Sequence, residues 1–274
     1  MNSSKDMLID LIKARGRLST EEFMAFCLTN PEAGYYAKQP VFGQKGDFIT
    51  APEISQMYGE LLGLWLAQCW IEQHRPVKFT LLELGPGRGT LMEDLLRATE
   101  KVSGFHKAMQ VQLLESSQRL REVQKEKLNK YEITWLDELQ KLPDQPLFFI
   151  ANEFFDALPI RQFQRTGDIW FERYLVIEDG SLVFSFSPQE KQVPENITTR
   201  HDIADGGIIE VCPGAVKICK FLSKHIEAKG GVGLIIDYGN SMSKGDTLQA
   251  VKDHKLVNVL ETPGLSDLTA HVDF

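Results

Sequence analysis

No C-x-x-C pair occurs among the four cysteines, Cys27, Cys69, Cys212 and Cys219, so neither a disulfide framework nor a thiolate zinc site is indicated. Thiols spaced in this way read as free core cysteines of a reducing compartment. The six histidines include no H-E-x-x-H pattern, and no metal is expected. Basic charge is also scarce. Thirty Lys and Arg against 38 Asp and Glu leave a net charge of -8, which argues against non-specific nucleic-acid binding. Long apolar runs are missing too. The most apolar helical stretch, Leu61 to Trp70, is too short and interrupted to span a bilayer. Asp6 and Asp10 near the N-terminus argue against a signal or transit peptide. The expected location is cytoplasmic, with no membrane partner. No repeat, low-complexity tract or nucleophile triad is visible.

What is present is apolar residue, 43% over 274 positions, enough for one large domain or one core with an appended part. The most informative stretch is Thr80-Leu81-Leu82-Glu83-Leu84-Gly85-Pro86-Gly87-Arg88-Gly89-Thr90. The apolar run from Val77 to Leu84 suits a strand covered on both faces of a parallel sheet. It stops at a turn whose three glycines let the backbone bend sharply and approach a ligand with no Cβ in the way. Thr90 is the expected cap of a helix from Leu91 to about Thr99. The turn reads either as a nucleotide cradle or as an ordinary strand–turn–helix connection.

A dinucleotide fingerprint runs G-x-G-x-x-G. Here the spacing is G-x-G-x-G, and Thr90 stands where the third glycine of that fingerprint falls. Glu83, two residues before Gly85, repels a diphosphate and suits a ligand carrying an ammonium group. S-adenosylmethionine is such a ligand, with an α-ammonium, a sulfonium and no phosphate. The next strand ends at Glu115, an acid that either accepts the hydroxyls of a ribose or faces a helix dipole. Asp137, after a third strand, is the candidate for an adenine amino group. The cofactor candidates are therefore Glu83, Gly85, Gly87, Gly89, Glu115 and Asp137.

In chain order, 3–15 and 19–29 read as helices, the second opened by Ser19-Thr20-Glu21-Glu22 as a capping box. Asn30 to Tyr36 reads as a turn ending in two exposed aromatics. A polar loop then passes through Asp47, Thr50 and Pro52 into a long helix from Glu53 to about His74. The loop serves either as a lid and substrate wall or as a plain connector. Strands at 78–84, 110–115, 131–135 and 147–151 alternate with helices, which indicates an α/β, doubly wound, Rossmann-like parallel sheet. The fourth strand runs into Asn152-Glu153-Phe154-Phe155-Asp156. Such sheets bind ligands beyond the carboxyl ends of their strands, so Asn152, Glu153 and Asp156 are the candidates for holding an acceptor nitrogen. Between 160 and 187, β-rich runs around Thr166-Gly167-Asp168 and Asp179-Gly180 indicate an inserted antiparallel β meander. Pro213-Gly214 precedes a helix to about Ala228, and Gly231 to Asp237 returns to a buried strand. The expected organisation is an N-terminal helical region and lid loop at 1–76, a first core half at 77–160, the inserted meander and helix at 161–228, and a return to the core at 229–274.

Five stretches together resemble the MidA-like family of class I S-adenosylmethionine-dependent methyltransferases, over nearly the whole chain. They are G-D-F-I-T-A-P-E-I-S-Q (46–56), L-E-L-G-P-G-R-G-T (82–90), A-N-E-F-F-D-A-L-P (151–159), I-D-Y-G (236–239) and D-L-T-A-H-V-D-F (267–274). The resemblance implies a class I methyltransferase sheet. The family's mitochondrial member is a complex I assembly factor that acts as a protein-arginine methyltransferase. A protein substrate is implied, with a complex I subunit as the mitochondrial case. The eukaryotic relatives belong in the mitochondrial matrix; for a bacterial-type chain the acceptor does not follow. Proteins of the family run on past D-L-T-A-H-V-D-F, so the later strands of the sheet are expected to be missing here. An arginine acceptor is cationic with a very high pKa, so carboxylates must orient it and take its proton. Glu153 and Asp156, beside Asn152, are the catalytic candidates; Asp47, Thr50, Glu53 and Gln56 are the substrate-side candidates. The rival readings are an assembly or scaffold protein that keeps the pocket with little turnover, and a nicotinamide-dependent oxidoreductase, which Thr90 and Glu83 disfavour.

Overall fold

Two capping boxes open the chain. At the start of α1 (Ser4–Arg15) the Asp6 N–H donates to Ser3 Oγ at 3.1 Å, and the Ser3 N–H donates to Asp6 Oδ2 at 3.0 Å. Ser19 and Glu22 repeat the exchange at 3.2 and 2.8 Å where the short strand β1 (Leu18–Ser19) runs into α2 (Thr20–Thr29). Each box satisfies N–H groups that the first turn of a helix leaves open. The computed structural model describes residues 3–38, 50–187, 193, 197 and 202–274, so Asp47 and the start of the 46–56 motif lie outside the described residues.

The turn after α2 leads into α3 (Tyr35–Lys38). The expectation of two exposed aromatics there is corrected: Tyr35 is fully buried and Tyr36 is half-buried, their ring centroids 5.5 Å apart. The cause is Gly34, where an added Cβ would stand 2.6 Å from the Asn30 backbone; the chain folds tightly back on α2 and turns Tyr35 inward. The single helix expected from Glu53 is also corrected. It is two helices, α4 (Ala51–Ile54) and α5 (Gln56–Glu72), separated by Ser55 in an extended conformation (φ -149°, ψ 122°). Apolar residues run on through the break, so periodicity does not reveal it.

From here the chain builds a sheet. β2 (Phe79–Leu84) is buried along its whole length. It is followed by α6 (Thr90–Thr99), α7 (Phe105–Ala108), β3 (Met109–Leu114), α8 (Gln118–Lys127), β4 (Ile133–Leu136) and β5 (Leu147–Asn152). Next come β6 (Arg161–Thr166), β7 (Ile169–Glu178), β8 (Ser181–Phe186), β9 (Ile208–Val211), α9 (Pro213–Lys229) and β10 (Gly231–Ile236). Five strands pair in parallel in the order β4-β3-β2-β5-β10. The strand order therefore reverses between β2 and β5, the position where open α/β sheets open a ligand crevice. Trp70, Phe79, Phe105 and Phe148 form an aromatic cluster beneath the sheet, with Phe79 centroids 5.1 Å from Phe105 and 5.0 Å from Phe148.

Two compact units result. One contains Phe42–Phe155 and Lys217–Asp237, and holds the parallel sheet. The other contains Met1–Val41, Asp156–Val216 and Tyr238–Phe274. In this second unit β7 pairs antiparallel with β1, β6 and β8, and β9 pairs with β6. The expected meander is thus present, extended by β1 and β9. The last segment adds β11 (Gly239–Asn240), β12 (Gln249–Lys252), β13 (Lys255–Val257), β14 (Asp267–Thr269) and β15 (Val272–Asp273). β12 pairs with β13 and β14, and β11 with β15. The units divide the chain differently from the four expected segments: the first helices group with the meander, most of α9 groups with the sheet, and only the first part of 229–274 returns to the core. Cys27 is the one fully buried thiol, and burial pushes it up to about 12; Cys69 and Cys212 are half-buried and Cys219 is exposed, which corrects the expectation of four core thiols.

α5 packs against α6 at unusually close range because Gly59 and Gly63 face it. A Cβ at Gly63 would lie 2.9 Å from Leu95 Cα, and one at Gly59 would lie 2.8 Å from Asp94 Cβ. Gly63→Ala sets two effects against each other. Helix propensity gains about 1 kcal/mol, while overpacking of a close backbone contact costs about 1–3 kcal/mol. The second wins, so Gly63→Ala is expected to lower the urea midpoint. A stabilised variant would show that the helices separate at little cost.

Candidate functional site

The register lines up the five residues that leave the carboxyl edge of the sheet. Leu84 pairs with Leu114 and with Ala151, Leu114 with Leu136, and Asn152 with Ile236. The next residues are Gly85, Glu115, Asp137, Glu153 and Asp237, so four of the five are acids. An edge of this kind concentrates negative potential where ligands of such sheets bind. At its centre Gly85, Gly87 and Gly89 all have positive φ, at 62°, 52° and 78°. L-residues with a side chain rarely hold that conformation. A Cβ on Gly85 would also stand 2.7 Å from the Phe154 ring.

Glu83 lies inside this edge, 3% exposed, and its Oε2 is buried with no hydrogen-bond partner among the described residues. Burial first, and the nearby charge of Glu115 second, push its carboxyl up to about 8. Glu115 is buried as well and raised above the usual carboxylate range by burial, although the Ser117 N–H donates to its Oε1 at 2.8 Å. Gln124, fully buried in α8, ties the parts together. Its Nε2 donates to Gly87 O at 2.7 Å and to Glu115 Oε2 at 3.2 Å, and its Oε1 accepts from Trp135 Nε1 at 2.8 Å. Arg121 pins the ends of β3 and β4 by donating to Glu115 O, to Leu136 O at 3.2 Å and to Asp137 Oδ1 at 2.5 Å. The Arg121 hydrogen bond, with Lys141 next, holds Asp137 below the usual carboxylate range. Asp137 lies on the wall of a cavity of about 230 Å³ lined also by Leu114, Leu139, Lys217, Ile218 and Phe221.

A second group gathers beyond β5. Asn152 Oδ1 accepts from the Tyr58 phenol at 2.5 Å, and its Nδ2 lies 3.4 Å from Glu153 Oε1. Glu153 has φ 48°, while its N–H still reaches Ile236 O at 2.9 Å. Left-handed backbone at a residue with a side chain costs about 1–3 kcal/mol and collects at functional sites. Burial raises the Glu153 carboxyl, against the Asn152 and Ala51 N–H groups that lower it; Asp237 raises it further. Asp237 Oδ2 itself accepts the Phe155 N–H at 2.9 Å.

The other candidates sit elsewhere. Glu53 accepts from Thr90 Oγ1 at 2.6 Å and from Arg88 Nη1 at 3.2 Å, so it clamps the glycine turn. Thr90 was expected to cap α6; it is instead the first helical residue, Gly89 holds the cap position, and the hydroxyl is turned to Glu53. Thr50 precedes α4 without a side-chain cap bond, and Gln56 is exposed at the start of α5. Asp156 belongs to the other unit, where it is buried and its carbonyl accepts the Ala270 N–H at 2.9 Å. Tyr58, Arg88, Arg121 and Gln124 are the site residues that sequence reasoning missed. Nothing in local pattern separates Gln124 from the exposed glutamines around it.

A cofactor with two cationic centres and no phosphate fits these residues. Two buried carboxylates, one with an unsatisfied oxygen, suit an ammonium and a ribose, and glycines that cannot carry a Cβ open the backbone to them. Glu83 makes this testable. Its folded value lies above its ordinary 4.5, so between about 4.5 and 8 the folded chain holds a proton that the unfolded chain has released. That contribution to stability declines as pH rises through this window and is flat above it. The stability difference between Glu83→Gln and the parent, from urea unfolding, is expected to move in the variant's favour from pH 5 to pH 8; a constant difference would refute it. Gly85→Ala is expected to abolish cofactor binding in calorimetry, because the turn cannot close over Phe154.

The family model described as "Putative S-adenosyl-L-methionine-dependent methyltransferase" matches residues 61–274. The chain is 39% identical over 290 residues to "Protein arginine methyltransferase NDUFAF7, mitochondrial" of Homo sapiens, covering 96% of this chain and 65% of that relative. Against the homologue of Caenorhabditis elegans, also named mitochondrial, identity is 36% over 301 residues, covering 100% of this chain and 70% of that one. The chain thus spans about two thirds of the length of the curated relatives it matches. A crystal structure from Burkholderia thailandensis with bound S-adenosyl-homocysteine superposes with a TM-score of 0.84 at 26% identity, covering 99% of this chain and 73% of that one. The five-stranded parallel sheet, its three-glycine turn and this agreement along the chain lead to one conclusion: the protein belongs to the family of S-adenosyl-L-methionine-dependent methyltransferases and has their class I α/β fold.

Proposed function

We propose that this chain transfers a methyl group from S-adenosylmethionine to an arginine side chain of a protein. The observation that carries this reading is the buried Glu83 carboxylate, with an unsatisfied oxygen, beside the three-glycine turn. The cofactor supplies a methyl group already activated on a sulfonium. What remains for the protein is proximity, alignment and the exclusion of water. Glu83 and Glu115 would hold the cationic and ribose parts, and the cavity beside Asp137 would take the base. A diphosphate would hold Glu83 in its protonated form and gain no ion pair from it, whereas a cation gains one, which weighs against a nicotinamide dinucleotide.

The acceptor side rests on Asn152 and Glu153. A guanidinium holds its proton too tightly to lose it to water at neutral pH. A carboxylate that orients the guanidinium and accepts the proton as the new bond forms removes that obstacle. Burial raises Glu153 toward the range where a carboxylate is a better base. The printed name of the human and nematode relatives supports arginine as the acceptor. A complex I subunit is the first protein substrate to test, and a cytoplasmic location is our reading for a bacterial-type chain.

Three outcomes are expected. Calorimetry should detect S-adenosylmethionine binding and no NAD binding, with proton release below pH 8 as Glu83 ionises beside the incoming cation; binding of NAD instead would overturn the cofactor. Tritium from labelled cofactor should enter arginine of a protein acceptor. Glu153→Gln should keep cofactor affinity while lowering methyl transfer by on the order of 10²–10⁴-fold. Unchanged transfer in that variant would remove Glu153 from the reaction.

A further inference from the structure

Asn152 has two ends that differ chemically, and only one orientation serves Glu153. The amide oxygen accepts and the amide nitrogen donates. If the side chain turned over, its oxygen would face the Glu153 carboxylate and repel it. An ionised Glu153 can only accept, so it calls for Nδ2, and the bond to it is long. What holds the amide that way round is the phenol of Tyr58, donating to its other end. It reaches Asn152 Oδ1 at 2.5 Å across 94 positions of sequence, so the oxygen is held on the phenol and Nδ2 is left toward Glu153 Oε1 at 3.4 Å.

The backbone around Tyr58 is built for this. Ser55 breaks the helix, and α5 restarts with the Tyr58 N–H donating to Ser55 O at 3.1 Å. That places Tyr58 in the first turn of α5. The same break leaves α4 as a separate turn, whose Ala51 N–H lowers the Glu153 carboxyl. Two helix starts from one stretch of chain therefore converge on Asn152 and Glu153.

We infer that Tyr58 is a positioning residue of the methyl-transfer site: by fixing which end of Asn152 faces Glu153, it sets the direction and the basicity of the carboxylate that receives the acceptor's proton. The inference rests on the proposed function for its consequence in turnover, but its structural content can be read without turnover. Tyr58 does not touch the acceptor. It acts through Asn152, with Ala51 and Asp237 as the other groups that face Glu153.

The test uses the full chain with Tyr58→Phe, which removes one oxygen and keeps the ring. Glu153 is followed by carbon-13 NMR of its carboxyl, assigned by its loss in Glu153→Gln. Without the phenol, Asn152 no longer keeps its donor on the carboxylate, so Glu153 should titrate at a higher pH in Tyr58→Phe than in the parent. Asn152→Ala should shift it the same way, and Tyr58→Phe should add nothing in the Asn152→Ala background. In methyl transfer, kcat should fall on the order of tenfold to a hundredfold, with cofactor affinity within about twofold of the parent. An unchanged Glu153 titration in folded Tyr58→Phe, or full additivity with Asn152→Ala, would overturn the inference. If the parent transfers no methyl group to any arginine, the proposed function fails, while the titrations still decide whether Tyr58 sets Asn152.

Discussion

Negative charge buried at the carboxyl edge of the parallel sheet is the constraint to which the rest of this unit answers. Burial of an ionised carboxylate without a partner is costly, and the group either takes up a proton or finds a cation. Glu83 does the first in the isolated chain, pushed up to about 8 by burial and by Glu115. A cationic ligand offers the second. Binding and ionisation are then one event, because the ligand's charge lowers the cost of the carboxylate that attracts it. A fold selected only for stability has no use for such a pair. An apolar residue at position 83 would satisfy a strand that is buried on both faces.

Holding that charge in place requires polar groups that arrive from outside the strands. Gln124 and Arg121 come from the same helix, α8, and attend to different layers. Gln124 reads the inner layer, bonding Gly87, Glu115 and Trp135 with one buried amide. Arg121 reads the rim, where its guanidinium collects the last carbonyls of β3 and β4 and neutralises Asp137. The difference explains why burial pushes Glu115 up while Arg121 brings Asp137 down. Glu53 performs a similar task on the other side of the turn, with Thr90 and Arg88 as its donors. The glycine turn is thus clamped from two sides by side chains.

Much of this was legible in the sequence, and the reasons are local. Glu83 to Gly89 announced a strand that stops at a bend only glycine can make. Ser19 and Glu22 announced a helix start, because a capping box is complete within four residues. The parallel sheet followed from strands alternating with helices. What could not be read was set by distance along the chain or by competition. Tyr58 meets Asn152 across 94 positions and Gln124 meets Gly87 across 37, and neither residue has a neighbour that marks it. The break at Ser55 is invisible because apolar residues continue through it. Thr90 looked like a cap by type, yet the left-handed backbone of Gly89 takes the cap position and leaves Thr90 as the first helical residue, its hydroxyl donating to Glu53. Asp156, four residues past the end of β5, is the first residue of its segment in the other unit, where its carbonyl accepts the Ala270 N–H.

The two halves of the edge solve opposite electrostatic problems with the same residue type. In the proposed reaction the Glu83 carboxyl gives up a proton when a permanent cation arrives. In the same reaction Glu153 takes one when the acceptor cation loses it. Both need a value above the ordinary carboxylate range, and burial supplies the rise in each case. They differ in how far the rise is allowed to go. The Oε2 of Glu83 has no hydrogen-bond donor among the described residues to oppose the rise. At Glu153 the Asn152 and Ala51 N–H groups oppose the rise that burial causes. A base raised without limit would already be protonated when the acceptor arrived. The left-handed turn at Glu153 serves the same end, since it directs the carboxylate toward those two donors at a cost the surrounding sheet must carry.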